Sequence, residues 1–361
     1  MKREEALEHF VENYVKVKSV EKQKKLDDYY EKNKDELSLK FIESFKQLCQ
    51  KIKEIQAIGQ KGKISYIVCS MLRTNIICGV NKYVLEAFND LLYLDKNECQ
   101  IEYDAGWAFG FLDEFEEELL QNSKFYINKI TKADIERLKL KETVLYNERI
   151  ERLVRYAMPK AAMTQEFKDI QKEDILEVSV GEYRSLRKLV YKESIRSKHS
   201  KEIKYWLEEK YEFEYTYEVL KELDLSDGDY EGIDISYGDF GKSNISRSNM
   251  KNTNLKGTKF CESLLEEVNF AGVAAAEAVF DSANLKGASF KVAKAEGASF
   301  KGANLEGVCF EGADLSYCDM TGANLVNVNF KGAILKGTIF NINDTSGLML
   351  DEEQKKDIVF I

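Results

Sequence analysis

Proline is nearly missing from this chain: Pro159 is the single one in 361 residues. Histidine is almost as scarce, with only His9 and His199, which leaves little room for histidine-based metal or triad chemistry. The seven cysteines, at 49, 69, 78, 99, 261, 309 and 318, form no C-x-x-C pair. An odd, scattered set reads as reduced thiols, not as a disulfide frame or a zinc site. Long apolar runs are missing too. The longest are short pieces such as Tyr66-Ile67-Val68-Cys69, far below the roughly 20 residues that span a bilayer. The start, MKREEALEHF, has no apolar signal core. A soluble, cytoplasmic protein is expected. Positive charge is in deficit, with 53 basic against 63 acidic residues and a net charge of −10. No direct nucleic-acid or membrane partner is therefore expected, because both need a basic field. There is no phosphate loop, G-x-S-x-G, H-E-x-x-H or dinucleotide turn. The expectation is a non-enzyme with no catalytic residues, cofactor or metal.

Glycine is the informative residue. Of the 21, eleven from Gly232 to Gly337 share one phase of a five-residue count. Every fifth residue from Leu225 to Phe340 is apolar or aromatic, 24 positions without a register break. Two residues earlier in each unit the side chain is small, as in Ala283, Ala288 and Ala293; Leu223 and Ile233 are the exceptions. A period of five fits neither a helix at 3.6 nor a strand at 2.0. It fits a chain that turns a corner every five residues, with one large and one small inward residue per side and glycine relieving the bend. Four corners close a coil of 20 residues, and stacked coils pair like parallel strands, about 4.8 Å apart.

Units such as Ala-Asn-Leu-Lys-Gly (283–287), Ala-Asn-Leu-Glu-Gly (303–307) and Ala-Asp-Leu-Ser-Tyr (313–317) resemble pentapeptide-repeat proteins. The resemblance covers about a third of the chain and implies an all-β right-handed quadrilateral β-helix. About six coils fit into 223–342. It implies no single function, since the family hosts several.

Residues twenty apart should stack. Phe240, Phe260, Phe280, Phe300, Met320 and Phe340 form one expected column. Tyr230, Met250, Phe270, Phe290, Phe310 and Phe330 form the opposite one, and aliphatics fill the remaining two. Asn284, Asn304 and Asn324 should form a side-chain ladder. Ala275 and Ala295 thin the core, with Val273 as partial filler. Cys309 should point outward and Cys318 inward, so they cannot share a metal. Leu264, Val279, Ile334 and Ile339 occupy outward positions that are normally polar. The last two fall in the final coil, where an open edge invites aggregation. Leu348-Met349-Leu350 and Ile358–Ile361 offer apolar cover, so 343–361 reads as a C-terminal cap. A homodimer seam, which resembles the pairing of some relatives, is the alternative.

Residues 1–215 read as a separate α+β domain, largely helical, of unknown role; the β-helix is placed at 216–342. An apolar stripe through Phe41, Phe45, Leu48 and Ile52 predicts a helix over 35–58, ended near Gly59 and Gly62. Alternation predicts a strand at 63–72, with 75–90 returning beside it, and another at 175–180. Helices are expected at 105–122 and 131–158. Residues 211–219 alternate Tyr211, Phe213, Tyr215, Tyr217 and Val219 with polar residues, mostly glutamates, and read as a strand capping the first coil, with a helix as the alternative. His9 and His199 read as surface side chains, and Glu116-Glu117-Glu118 as a solvated helix face. Arg184, Arg187 and Lys188, after Gly181, read as a solvated basic patch or an anion site.

Two functional readings follow. One is a non-enzymatic protein–protein interaction scaffold or adaptor, since a filled solenoid offers faces and no pocket. The other comes from the resemblance, which includes the quinolone-resistance pentapeptide proteins: a DNA mimic that modulates DNA gyrase or topoisomerase IV. Magnitudes favour the scaffold. Six coils make a rod of roughly 29 Å. Duplex DNA of that length carries about 17 negative charges. Residues 223–342 hold 16 acidic and 11 basic residues, with lysines spread along the rod. Only the first coil is one-signed, through Asp224, Asp227, Asp229, Glu231, Asp234 and Asp239. With Tyr211, Tyr215 and Tyr217 as anchors, that junction is the candidate surface for a protein partner.

Overall fold

A computed structural model describes residues 2–195, 199–212, 214–341 and 350–361. The chain divides into two compact units, 1–193 and 194–361. The division falls before the boundary read at 215/216, because Ile203, Trp206 and Leu207 share the core of the repeats.

The first unit opens with α1 (Arg3–Phe10), which passes through one wider turn into α2 (Lys16–Ala57). The apolar stripe continues N-terminally through Leu26, Tyr30 and Leu37, so α2 is far longer than the stretch 35–58. Its first half is mostly charged and is fixed by ion pairs to other helices. Arg149 reaches Asp27 at 3.0 Å, and buried Lys22 reaches Glu114 at 2.7 Å and Glu118 at 2.9 Å. Such pairs depend on tertiary partners, which a local apolar pattern does not reveal. The helix stops at Ala57, two residues before Gly59, whose φ of +70° ends the run.

Next come β1 (Ile64–Met71), α3 (Arg73–Ile77), β2 (Lys82–Phe88) and β3 (Gln100–Asp104). Then follow α4 (Gly106–Ser123), α5 (Lys132–Ala161), α6 (Gln165–Asp169), β4 (Lys172–Glu182) and β5 (Arg187–Ser194). The strands form one sheet in the order β3-β2-β1-β4-β5. β2 returns antiparallel to β1, as 75–90 suggested, while β4 lies parallel to β1. The short strands β3 and β5 were not expected, since charges interrupt their apolar residues. Ile67, Cys69 and Met71 alternate onto one face with Leu85, Val178 and Val180, and join the core of the helices. The other face carries Tyr66, Val68, Ser70 and Glu86.

One side-chain reading changes. Glu116 and Glu118 are not merely solvated: Glu116 holds buried Lys139 at 2.7 Å, and Glu118 holds Lys18 and Lys22. His9 is exposed, as read, and its Nδ1 meets the Tyr126 hydroxyl at 2.7 Å.

In the second unit, α7 (Ser200–Glu208) precedes a ladder of isolated parallel bridges. Each bridge joins residues twenty apart, from Val219–Asp239 to Asp319–Ile339. The backbone pattern therefore starts before Leu223, and no strand forms over the described residues of 211–219. Phe213 lies outside the described residues. Every fifth residue from Tyr217 to Gly337 has a positive φ, so the glycine phase is the left-handed corner of each unit. The predicted interior is present. Phe260 and Phe280 stack at 5.2 Å, Phe270 and Phe290 at 4.6 Å, and rings of the two columns meet edge-on. Asn304 donates to Asn284 at 3.0 Å, and Asn324 to Asn304 at 2.9 Å.

The small inward positions do more than fill space. Ser243, Ser248, Thr253, Thr258, Ser263 and Thr338 each donate a hydroxyl to the carbonyl 23 residues earlier, and the buried Cys318 thiol does the same to Ala295. These bonds satisfy the buried hydroxyls and give the carbonyls a further donor, most of which already accept a backbone N–H, as Phe240 O does from Ser243 N. At the C-terminal end, β6 (Ile339–Phe340) pairs in parallel with β7 (Val359–Phe360), preceded by α8 (Glu352–Asp357). Buried Gln354 donates to the carbonyls of Phe330 and Ala333, at 2.8 and 2.9 Å. Leu350 and Ile358 pack on the repeat core; Leu348 and Met349 lie outside the described residues.

Candidate functional site

The acidic positions at the start of the repeats follow from the bridge pattern. Where an Asp or Asn stands one residue before a large inward residue, as at 234, 239 and 244, it points outward and its carboxylate or amide accepts from the backbone two residues on. Asp224 accepts from Ser226 N and Oγ and from Asn244 Nδ2. Asp234 accepts from Ser236 N and from Asn254 Nδ2, both at 2.9 Å. Asn249 bridges Asp229 and Glu231.

Cations from neighbouring segments reach several of these carboxylates. Arg247 forks Asp227 at 2.8 and 2.7 Å, Lys210 lies 2.7 Å from Asp229, and Lys221 lies 2.8 Å from Asp239. The surface is thus less one-signed than composition suggested. The hydrogen bonds from Arg247 and Lys210 hold the Asp227 and Asp229 carboxyls below their usual range; for Asp224 the Ser226 hydroxyl is the main cause. Glu231 and Asp234 have amide and backbone partners, with no ion pair among the described residues.

The three tyrosines part ways. Tyr211 is exposed. Tyr215 is fully buried: its hydroxyl donates to the Trp206 carbonyl and accepts from Tyr211 N, and its ring meets Trp206 edge-on at 4.6 Å. It is core, and offers no anchor to a partner. Tyr217 is half-buried and stacks on Tyr237 at 4.9 Å. Sequence reasoning missed Tyr237, although a spacing of twenty from Tyr217 was the available signal. It also missed the basic residues Lys204, Lys210 and Lys221, which precede the repeat register.

Other candidate chemistry is sparse. Among the described residues, no group of three or more His, Cys, Asp or Glu is placed to hold a metal ion. None of their helices is long and apolar enough to cross a membrane. An open hollow of about 260 Å³ lies on the repeat surface between Glu266, Glu267, Lys286 and Glu306. Another, of about 470 Å³, lies beside Tyr66 and Asp90 in the first unit.

Comparison with known proteins bears on the second unit. The family model described as pentapeptide repeats matches in eight copies, over residues 263–302, 276–316 and 303–341. No curated protein matches. Among solved structures, the pentapeptide repeat protein Rfr23 of the cyanobacterium Cyanothece 51142 is 27% identical, with a TM-score of 0.20. That match covers 28% of this chain and 63% of Rfr23, so the chain spans under two thirds of that relative. HetL of Nostoc sp. strain PCC 7120, a pentapeptide repeat protein involved in heterocyst differentiation regulation, is 23% identical over 36% of this chain and 79% of its own, with a TM-score of 0.23. QnrB1, a plasmid-mediated fluoroquinolone resistance protein, is 15% identical over 41% and 85%, with a TM-score of 0.28. The C-terminal region is accordingly a run of pentapeptide repeats, the kind known to form a β-helix, and no family model matches the N-terminal part.

Proposed function

We propose that this chain is a non-enzymatic interaction scaffold, with a β-helix of about six right-handed coils as its rigid element. One observation carries the reading. The inward residues of the repeats, from Leu225 to Phe340, are buried side chain against side chain, which puts recognition on the outer faces. The partner is a protein, and its contact surface is the start of the repeats. Glu231 and Asp234 supply unneutralised charge there, Tyr211 an exposed ring, and Asp224, Asp227, Asp229 and Asp239 an ordered rim. Soluble, cytoplasmic placement goes with this reading, as does 343–361 as an end cap or self-association seam. The rival reading, a DNA-mimicking modulator of gyrase or topoisomerase IV, starts from the resistance named for QnrB1. Cross-coil ion pairs such as Lys286–Glu306 and Lys291–Glu311 disfavour it, since they cancel the charge a phosphate mimic must present.

The experiment is an affinity capture with the full chain and with a variant carrying Asp229, Glu231 and Asp234 changed to Lys. A partner retained by the first and lost by the second supports the scaffold. Inhibition of gyrase supercoiling near stoichiometric concentration, abolished by the same change, reverses the ranking.

A further inference from the structure

Two loop tips of the first unit meet on one surface. One is the connection between β2 and β3, with Leu91 and Leu94 54% and 76% exposed. The other is the turn between β4 and β5, where Leu186 is 92% exposed. Tyr93 and Tyr183 join them, with ring centroids 6.4 Å apart. Arg184 lies over both rings, at 5.7 and 5.3 Å, and Arg187 lies over Tyr66 and Tyr93, at 5.6 and 5.7 Å.

This surface is built. Lys61 and Asp95 form a buried ion pair at 2.8 Å beneath the first tip. Asp95 also accepts from Asn89 N and Asn97 N, which closes the loop around one carboxylate. Leu92 and Arg184 sit at φ of +51° and +53°, left-handed values that non-glycine residues adopt only when surroundings over-determine them. The leucines are therefore held out in a fixed conformation, which lowers the ordering cost of binding.

Two arginines are left without an ion pair. Arg73 takes Glu182 at 2.8 Å and Lys188 takes Glu151 at 3.2 Å. Among the described residues, neither Arg184 nor Arg187 has an ion-pair partner; the guanidinium of Arg187 reaches only the Tyr93 hydroxyl, at 3.5 Å. The nearby Glu86 is buried, burial pushes its carboxyl up against the pull of Arg184, and it forms no ion pair with either arginine among the described residues. Two guanidinium groups over tyrosine rings, with free donor edges, match interface hot spots in residue type, and the projecting leucines add apolar area beside them.

We infer that this surface docks an acidic segment of a partner protein that carries apolar side chains next to its carboxylates. Charge complementarity sets the sign: the guanidinium groups of Arg184 and Arg187 lie over tyrosine rings with no ion-pair partner among the described residues. A small free anion would satisfy the arginines and leave three leucines in water. An anionic membrane would need a broader basic field than two arginines provide. The inference is independent of the acidic start of the repeats, which has the opposite charge.

The test uses the full chain. Twelve-residue peptides are selected by phage display, and the winners are synthesised with a fluorophore and measured by anisotropy. The expected winners join Asp or Glu to Leu, Phe or Trp, and bind less tightly as salt rises. Affinity should fall about tenfold or more in R184E/R187E. It should fall likewise in L94D/L186D, whose substitutions are both at exposed positions, and stay unchanged in the Asp229, Glu231 and Asp234 to Lys variant. Winners without acidic residues, or affinities unmoved by both double variants, overturn the inference. So does binding of ATP, of phosphatidylserine vesicles, or of a second copy by sedimentation, where R184E/R187E abolishes it and no acidic peptide competes.

Discussion

Replacing Phe290 by Asp tests the packing of the repeats at their centre. Phe290 is fully buried, stacked on Phe270 at 4.6 Å and facing Phe310 at 5.2 Å. It meets Phe280 and Phe300 edge-on at 5.6 and 5.8 Å. Truncating a buried phenylalanine costs about 3–5 kcal/mol through lost transfer energy and the cavity left behind. Each aromatic pair adds about 0.5–1.5 kcal/mol beyond area, and Phe290 makes four such contacts. An unpaired carboxyl in that cavity costs several kcal/mol more, whether it stays charged or takes up a proton. The total reaches the whole stability of a typical domain, about 5–15 kcal/mol. In a nearest-neighbour stack the damage spreads to the coils above and below, which lose their interface. Phe290→Leu is the control, and should cost much less because it keeps an apolar side chain in the space. The assay is guanidinium unfolding with hydrogen exchange, following the amides of Phe260 to Phe330. Phe290→Asp should lose their protection and Phe290→Leu should keep it. A Phe290→Asp protein with unchanged midpoint and protection would refute the register.

Further outcomes follow from single side chains. Val292 is β-branched, exposed and held at φ +50°, so Val292→Gly should raise stability by about 1 kcal/mol in thermal unfolding, relief of left-handed strain exceeding the entropy of glycine. Gln354→Leu leaves the Ala333 carbonyl without a donor, while Phe330 O keeps its bond from Ala333 N, and should cost about 1–3 kcal/mol for the one buried group. Deleting 343–361 should expose the last coil and cause aggregation, or loss of a dimer, by light scattering; an unchanged soluble mass rejects both. Asp134, bonded to Thr131 and Arg3, is held at about 2, below its ordinary 3.8. Its contribution is present above about pH 4 and fades as pH falls through the folded value, so Asp134→Asn should flatten the stability profile between about pH 4 and pH 2.

The two halves differ in how much their sequence discloses, and the reason is the range of the contacts. In the repeats the inward rings pack on rings ten and twenty residues away, so the order along the chain is the order in space. The inward set, the aromatic columns and the asparagine ladder all follow from counting. In the first unit, Lys22 is buried because Glu114 and Glu118 arrive from α4, and Lys61 because Asp95 closes a loop over it. No local period marks such pairs. β3 and β5 were missed for the same cause, since each is held by a neighbouring strand and not by its own pattern.

The candidate site shows where a one-dimensional reading of charge falls short, and where it need not have. Summing carboxylates along the first coil gives a one-signed patch, but the neighbours that matter lie one coil on. Asp227 and Arg247, Lys242 and Glu262, Lys286 and Glu306, and Lys291 and Glu311 are all twenty residues apart, and all form ion pairs. Lys221 and Asp239, like Lys301 and Asp319, pair at eighteen. Exposed pairs of this kind contribute little stability each, about 0–1 kcal/mol, yet they decide what a partner meets. Of the six carboxylates proposed from sequence, Asp227, Asp229 and Asp239 carry an ion-paired cation, while Glu231 and Asp234 face only amides and backbone. A partner that reads charge at this end of the repeats should therefore depend most on Glu231 and Asp234. Changing those two alone to Gln and Asn should weaken capture more than changing Asp227 and Asp239 to Asn, and the reverse order would show that the paired carboxylates open on binding.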